Sequence, residues 1–192
     1  IYDGQSDVVT RLHGVQDRTW VSISELQPST VYAFISAEDA RFFEHEGVDV
    51  IRIAGAIVAD IKAGSYVQGA STISQQLIKL SHLTSEKTIS RKAEEAALAY
   101  EMERQYSKED ILEMYLNYVY FGGGYYGIEA AAEGYFGVHA SDLTLDQSAM
   151  LAGILKSPSG YAPHINYAAS INRRNNILRL MRDYGYITDD EK

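Results

Sequence analysis

The chain has 192 residues, with 17 lysines and arginines against 26 aspartates and glutamates, and no cysteine. That length suits one domain with a sizeable core, and a net charge of −9 lacks the basic footprint that general nucleic-acid binding needs. The missing thiol excludes disulfides, cysteine nucleophiles and thiolate metal sites, which is compatible with an extracytoplasmic bacterial protein. No signal peptide, internal repeat or run of about 18 apolar residues is present. The chain opens abruptly at Ile1 and stops just after Thr188 and Glu191, a pair that reads as the opening of a helix. We therefore expect an excised fragment.

In chain order, residues 1–30 mix β-branched residues with turn formers. VVTRL and TWVSI alternate as strands do, which predicts a short hairpin or extended arm. Val31 to Glu38 reads as helix and leads into AEDARFFEHEG (Ala37–Gly47), where Glu38, Asp39, Glu44, His45 and Glu46 surround Phe42 and Phe43. A carboxyl buried against apolar rings has its charged form disfavoured, which is how a general acid or base is tuned towards working pH. Alone, the string reads more readily as a helix start with solvated acids and two core phenylalanines.

Val48 to Lys62 is helical: Val50, Ile51, Ile53, Ala54, Ile57, Val58 and Ile61 share one face, and Asp49, Arg52, Asp60 and Lys62 the other. AGSYVQGA then reads as a loop. Thr72 and Gln75 form a capping box for a helix from about Ile73 to Leu80. Gln75, Gln76 and Lys79 are spaced to share a face on it, either as a solvated surface or as donors to hydroxyl and phosphate oxygens. His82 to Ser90 is turn-like, and a long helix follows from about Arg91 to Gln105. Arg91 and Lys92 are spaced to meet Glu95, an arrangement that ordinary surface ion pairing would also explain. Against that reading, Lys79, Lys87, Arg91 and Lys92 fall within fourteen residues of an acidic chain, a cluster able to neutralise a pyrophosphate.

Ser107 with Asp110 and Thr144 with Gln147 cap further helices. FGGGYYG breaks the first of these, and EAAAEGYFG resumes a helix of small residues. SPSGYAP reads as a loop, and INRRNNILRLMRDYG as a last amphipathic helix ended by Gly185. The fold class is mainly α.

Four blocks, EDARFFEHEG, GASTISQQLIK, RKAEE and YLNYVYFGGGYYGIEAAAEGYFG, stand in this order. Together they resemble the peptidoglycan glycosyltransferases of glycosyltransferase family 51, found in class A penicillin-binding proteins and monofunctional glycosyltransferases. The resemblance covers roughly Ser24 to Thr188. It implies a lysozyme-like head lobe with a smaller membrane-facing jaw lobe at residues 48–70. It also implies an N-terminal membrane anchor and, in class A members, a transpeptidase domain, both outside this chain. The implied reaction polymerises lipid II into β-1,4-linked glycan with inversion at C1 and release of undecaprenyl pyrophosphate, on the extracytoplasmic face of the bacterial cell membrane.

Carried over by motif, the resemblance makes Glu38 the general base and Glu95 a second key carboxylate. Ser71, Thr72, Gln75, Gln76, Lys79, Lys87, Arg91 and Lys92 become substrate-binding, with Asn117, Gly122 and Gly124 from the fourth motif. Lys87 stands where many relatives have arginine, and Gln147 where many have glutamate. Asp39 and His45 are expected to hold the first motif's loop together, with no metal site and no tightly bound cofactor. Mg2+ or Mn2+ would enter only through the substrate pyrophosphate. Expected partners are lipid II, the growing glycan, a membrane surface and moenomycin-type inhibitors, and no nucleic acid. Two other readings compete: a glycan-cleaving enzyme of the same expected fold, which needs no pyrophosphate cluster, and a binding or scaffolding module at the membrane, which needs no intact Glu38 and Glu95.

Overall fold

Proline brings its own φ to the first turn of a helix and has no N–H to leave unpaired there. The first long helix, α1 (Pro28–Glu38), accordingly starts at Pro28, earlier than the Val31 expected from pattern. The computed structural model describes residues 19–64, 69–81 and 88–192. Its further helices are α2 (Val50–Ala63), α3 (Ile73–Ser81), α4 (Ile89–Gln105), α5 (Lys108–Tyr118), α6 (Ile128–Phe136), α7 (Leu145–Ile154), α8 (Pro158–Tyr161) and α9 (Tyr167–Asp183). The mainly α expectation holds. Among the described residues there is no strand, only isolated bridges pairing Glu46 with Val48 and Tyr120 with Tyr126.

The predicted caps form. Ser107 and Asp110 make a reciprocal box on α5, as Thr144 and Gln147 do on α7. Thr72 and Gln75 exchange backbone-to-side-chain bonds of 3.1 Å each at the start of α3. SPSGYAP is no plain loop. Pro158 at its first position nucleates the single turn α8. α9 begins at Tyr167, before the INRR run, because Asn166 caps it by accepting from Ala169 N–H.

TWVSI is not a strand. Its backbone pairs with a side chain instead: Val21 N–H donates to Asn117 Oδ1 at 2.9 Å, and Asn117 Nδ2 donates back to Val21 O at 2.8 Å. Glu113 accepts from Ile23 N–H, Ser22 Oγ and Trp20 Nε1, so the segment is clamped onto α5. The rest of the expected arm, residues 1–18, lies outside the described residues, as do residues 65–68 of the expected loop.

α1, α7 and α9 pack on one another, while α3 packs on α4 and α5. Phe34, Ile35, Leu151, Ile154, Ile177 and Met181 fill the first group, and Ile73, Leu77, Ile111 and Tyr115 the second. α7 is buried on every face from Ser148 to Ile154. α1 runs through the core and delivers its last residue, Glu38, to the space between the groups. α2 behaves differently. Its only buried residue is Ala56, and Val50, Ile51, Ile57, Val58 and Ile61 are all at least half exposed. Among the described residues no helix is long and apolar enough to cross a membrane.

Candidate active site

Glu38 ends α1 because Asp39 leaves helical geometry (φ −157°, ψ 74°). Asp39 is fully buried, and its Oδ2 accepts from His45 Nε2 at 2.9 Å and from Ile73 N–H at 3.0 Å. One carboxylate thereby ties the loop after α1 to the start of α3. His45 lies 3.7 Å from Glu103, which pairs with Lys108 at 2.7 Å and takes a short hydrogen bond from Ser74 Oγ. Lys108 Nζ sits 4.6 Å over the Phe42 ring. Asp39 and His45 thus hold the loop, as expected of them. Gly47 closes it at φ 78°, where a Cβ would lie 2.6 Å from the Tyr100 backbone nitrogen on α4. Only glycine lets the loop approach that closely.

Glu38 lines two clefts. One, of about 430 Å³, is also lined by Arg52, Gly69, Ser71, Gln76, Lys79, Glu95, Leu155, Lys156 and Arg173. The other, of about 560 Å³, runs past Asp39, Arg41, Glu44, Asp49, Arg52 and Tyr184. Gln76 Nε2 donates to Glu38 Oε2 at 3.0 Å. Burial pushes the Glu38 carboxyl above the ordinary glutamate value. The Gln76 hydrogen bond and the charges of Arg173 and Arg52 oppose that shift, and the Asp39 charge adds to it.

Glu95 is buried on the far wall of the first cleft. Arg91 reaches it at 2.9 Å, and Lys92 makes a shorter contact with it while also donating to Ser71 Oγ at 2.8 Å. The RKxxE spacing is realised as one carboxylate carrying two cations.

The sequence candidates divide. Glu38, Glu95, Ser71, Gln76 and Lys79 line the first cleft, with Arg91 and Lys92 behind Glu95. Thr72 and Gln75 do not reach it. Both are buried and bonded to each other, and Thr72 Oγ1 also donates to Gly47 O at 2.6 Å. Asn117 is buried and bonded to Val21 and Glu113 backbone. Gly122 (φ 81°) lines a separate surface cleft with Tyr120, Pro158 and Ile165, and Gly124 (φ 88°) shapes the same loop. Lys87 lies outside the described residues.

Three cationic residues of the cleft were not singled out from sequence. Arg52, placed by the helical wheel on the solvated face of α2, turns back and donates to the Glu38 carbonyl at 2.5 Å. Arg173 comes from α9. Its Cγ passes within 3.0 Å of where a Gly153 Cβ would stand, so a glycine on α7 admits its stem. Lys156 follows α7 directly. No local pattern signals the last two, because their position depends on α7–α9 packing. Away from the cleft, Glu129, Glu133 and His139 bring ligand-type atoms within 4.8 Å of one another. Glu129 already serves Ala140 N–H and His139 there.

A family model described as Transglycosylase matches residues 5–182. Penicillin-binding protein 1A/1B of Bacillus subtilis (strain 168) is 47% identical over 192 residues, covering all of this chain and 21% of that protein. Penicillin-binding protein 1A of Aquifex aeolicus (strain VF5) is 42% identical over 191 residues, covering all of this chain and 26% of that protein. The chain therefore spans about a fifth to a quarter of the length of these relatives. The 2.6 Å crystal structure of penicillin-binding protein 1A from Haemophilus influenzae shares the fold, with a TM-score of 0.55 at 24% identity over 93% of this chain and 17% of that one. A family match that runs almost end to end decides the matter: the chain belongs to the transglycosylases, as a peptidoglycan glycosyltransferase domain.

Proposed function

We propose that this domain polymerises lipid II, with Glu38 as general base and the cationic wall of the first cleft holding the leaving pyrophosphate. The observation that carries the proposal is the position of Glu38. Its carboxyl stands where two clefts meet, and the first of them carries Arg52, Lys79, Lys156 and Arg173 against two carboxylates.

In the proposed step, Glu38 removes the proton from the 4-hydroxyl of the acceptor N-acetylglucosamine as that oxygen bonds to C1 of the donor N-acetylmuramic acid. The bond from C1 to the α-linked pyrophosphate breaks, and its electron pair leaves with undecaprenyl pyrophosphate. Attack from the opposite face gives the β-1,4 linkage. Glu38 then returns its proton to solvent. A pyrophosphate needs charge stabilisation more than a proton, which suits preorganised cations. Arg173 Nε is buried with no protein partner, a donor that a phosphate oxygen would satisfy.

The raised Glu38 carboxyl alone would serve a glycan-cleaving acid equally well, and the cations favour transfer. The two carboxylates of the first cleft are already engaged. Glu95 is occupied by Arg91 and Lys92, and Glu38 by Gln76. Mg2+ or Mn2+ is therefore proposed to arrive bound to the pyrophosphate.

The exposed apolar face of α2 is proposed as the membrane-facing jaw. It is too short to span, and amphipathic in the way of an interfacial helix. The domain would then work at the extracytoplasmic face of the cell membrane, and moenomycin would compete for the cationic cleft. Labelled lipid II tests the function. Long glycan supports it, whereas cleavage of preformed glycan, or unchanged lipid II from a folded protein, overturns it.

A further inference from the structure

Gln76 sits between two groups with opposite needs. Its Nε2 faces Glu38 Oε2 at 3.0 Å, and its Oε1 faces Tyr115 Oη at 3.1 Å. Tyr115 is completely buried on α5, in the second helical group, while Glu38 comes from the first. An ionised carboxylate can only accept, so it requires the amide nitrogen on its side. The carbonyl oxygen must then find a donor in the interior, and the phenol supplies it.

Turning the amide over would place Oε1 against the carboxylate and strand the phenol proton, because Gln76 is the phenol's only hydrogen-bond partner among the described residues. The geometry points to Tyr115 as a positioning residue that locks the Gln76 amide in the orientation donating to Glu38. The phenol hydroxyl is itself a dependable donor. Burial, with the Glu38 and Asp39 charges, holds its pKa well above the ordinary tyrosine value, so it keeps its proton throughout the working range. Donation into Oε1 also polarises the amide and strengthens its N–H on the other side. Tyr115 touches neither cleft and takes no part in the chemistry; it acts through Gln76.

Removing the phenol oxygen changes which protonation state the site prefers. With no donor at Oε1, ionised Glu38 forces that oxygen to stay orphaned in the interior. Protonated Glu38 escapes by letting the amide turn and accept the carboxyl proton. Tyr115→Phe should therefore favour the protonated acid and push the Glu38 carboxyl further up. Arg52 from α2, Arg173 from α9, Lys79 from α3, Lys156 after α7, and Asp39 and Glu95 also surround this site, and the substitution leaves them all in place.

The inference rests on the reading of Glu38 as the base, and two measurements separate their failures. The first is the pH profile of kcat/KM for lipid II polymerisation. The second is a carboxyl-carbon NMR titration of Glu38, assigned by loss of its signal in Glu38→Gln, which needs no activity. Tyr115→Phe and Tyr115→Met should both move the acid limb and the titration to higher pH, with turnover on the alkaline plateau much less affected. In a Gln76→Ala background, Tyr115→Phe should move neither. An unmoved titration in folded Tyr115→Phe and Tyr115→Met, or an equal shift in the Gln76→Ala background, overturns the link. An active Glu38→Gln with the titration still shifted would remove Glu38 from the base role and leave the link standing.

Discussion

Glu38 and Glu95 face the same cleft under different constraints. Glu95 is matched by two cations in direct contact, whereas Glu38 has one neutral amide in contact and its cations farther off. Burial then wins at Glu38, and its carboxyl is raised. The folded protein keeps this proton over a range above the ordinary glutamate value in which the unfolded chain has already released it. The group's stability contribution is therefore fully present below that value and lost as pH rises through the raised one. Activity should run the opposite way, rising with pH as the base ionises. Wild-type kcat/KM and melting temperature, followed over the same pH series, should show these opposed trends, and Glu38→Gln should flatten the Glu38 component of the melting curve. A wild-type acid limb at the ordinary glutamate value would remove the burial argument. Arg91→Ala or Lys92→Ala should weaken pyrophosphate-ligand binding and also lower stability, because each leaves the buried Glu95 with one cation. Unchanged binding in both would make the pair a purely structural clamp. Glu38, Gln76 and Lys79 were legible in sequence because local motifs carry them. Arg173 and Lys156 were not, because a glycine on one helix and a packing angle with another put them in place.

The helices themselves were largely legible, since their boundaries are chemical. Thr72, Ser107 and Thr144 mark starts through their own hydroxyls, and Gly185 (φ 78°) follows the last helix. The failures occurred where a partner far along the chain decided. TWVSI has strand alternation, but Asn117 and Glu113, ninety or more residues away, satisfy its backbone and impose an irregular course. α8 is one turn, too short for any periodicity to reveal. Gly47 brings the loop after α1 against α4, so Gly47→Ala combines positive-φ strain with a backbone overlap. It should cost about 3 kcal/mol in urea denaturation, and a loss below about 0.5 kcal/mol would show that α4 simply yields. From periodicity alone the apolar face of α2 favours core burial, and only the family resemblance points it at a membrane. The structure leaves Ile57 55% and Ile61 75% exposed, so Ile57→Ser with Ile61→Ser should scarcely change the melting temperature. The same pair should weaken liposome binding if this face meets lipid. A large drop in melting temperature with unchanged liposome binding would return these residues to the core.

At the scale of the whole molecule, an acidic chain of net charge −9 gathers four cations around one cleft. Several of the acids are buried in pairs and loops, as Asp39 and Glu95 are, while the first cleft gathers the opposite sign where the proposed pyrophosphate would bind. Opposed fields of this kind give capture that weakens as salt rises. The two helical groups meet at the end of α1, so neither completes the site alone: α1 supplies Glu38, α3 and α4 supply Gln76, Lys79 and Glu95, and α9 supplies Arg173. The central claim is that Glu38 removes the acceptor proton in a cleft that binds substrate by other groups. Lipid II binding and polymerisation measured side by side on wild type and Glu38→Gln test it most directly. The account predicts retained binding, an intact fold and polymerisation lost by about two orders of magnitude or more. Near-normal polymerisation by the Gln variant would contradict it.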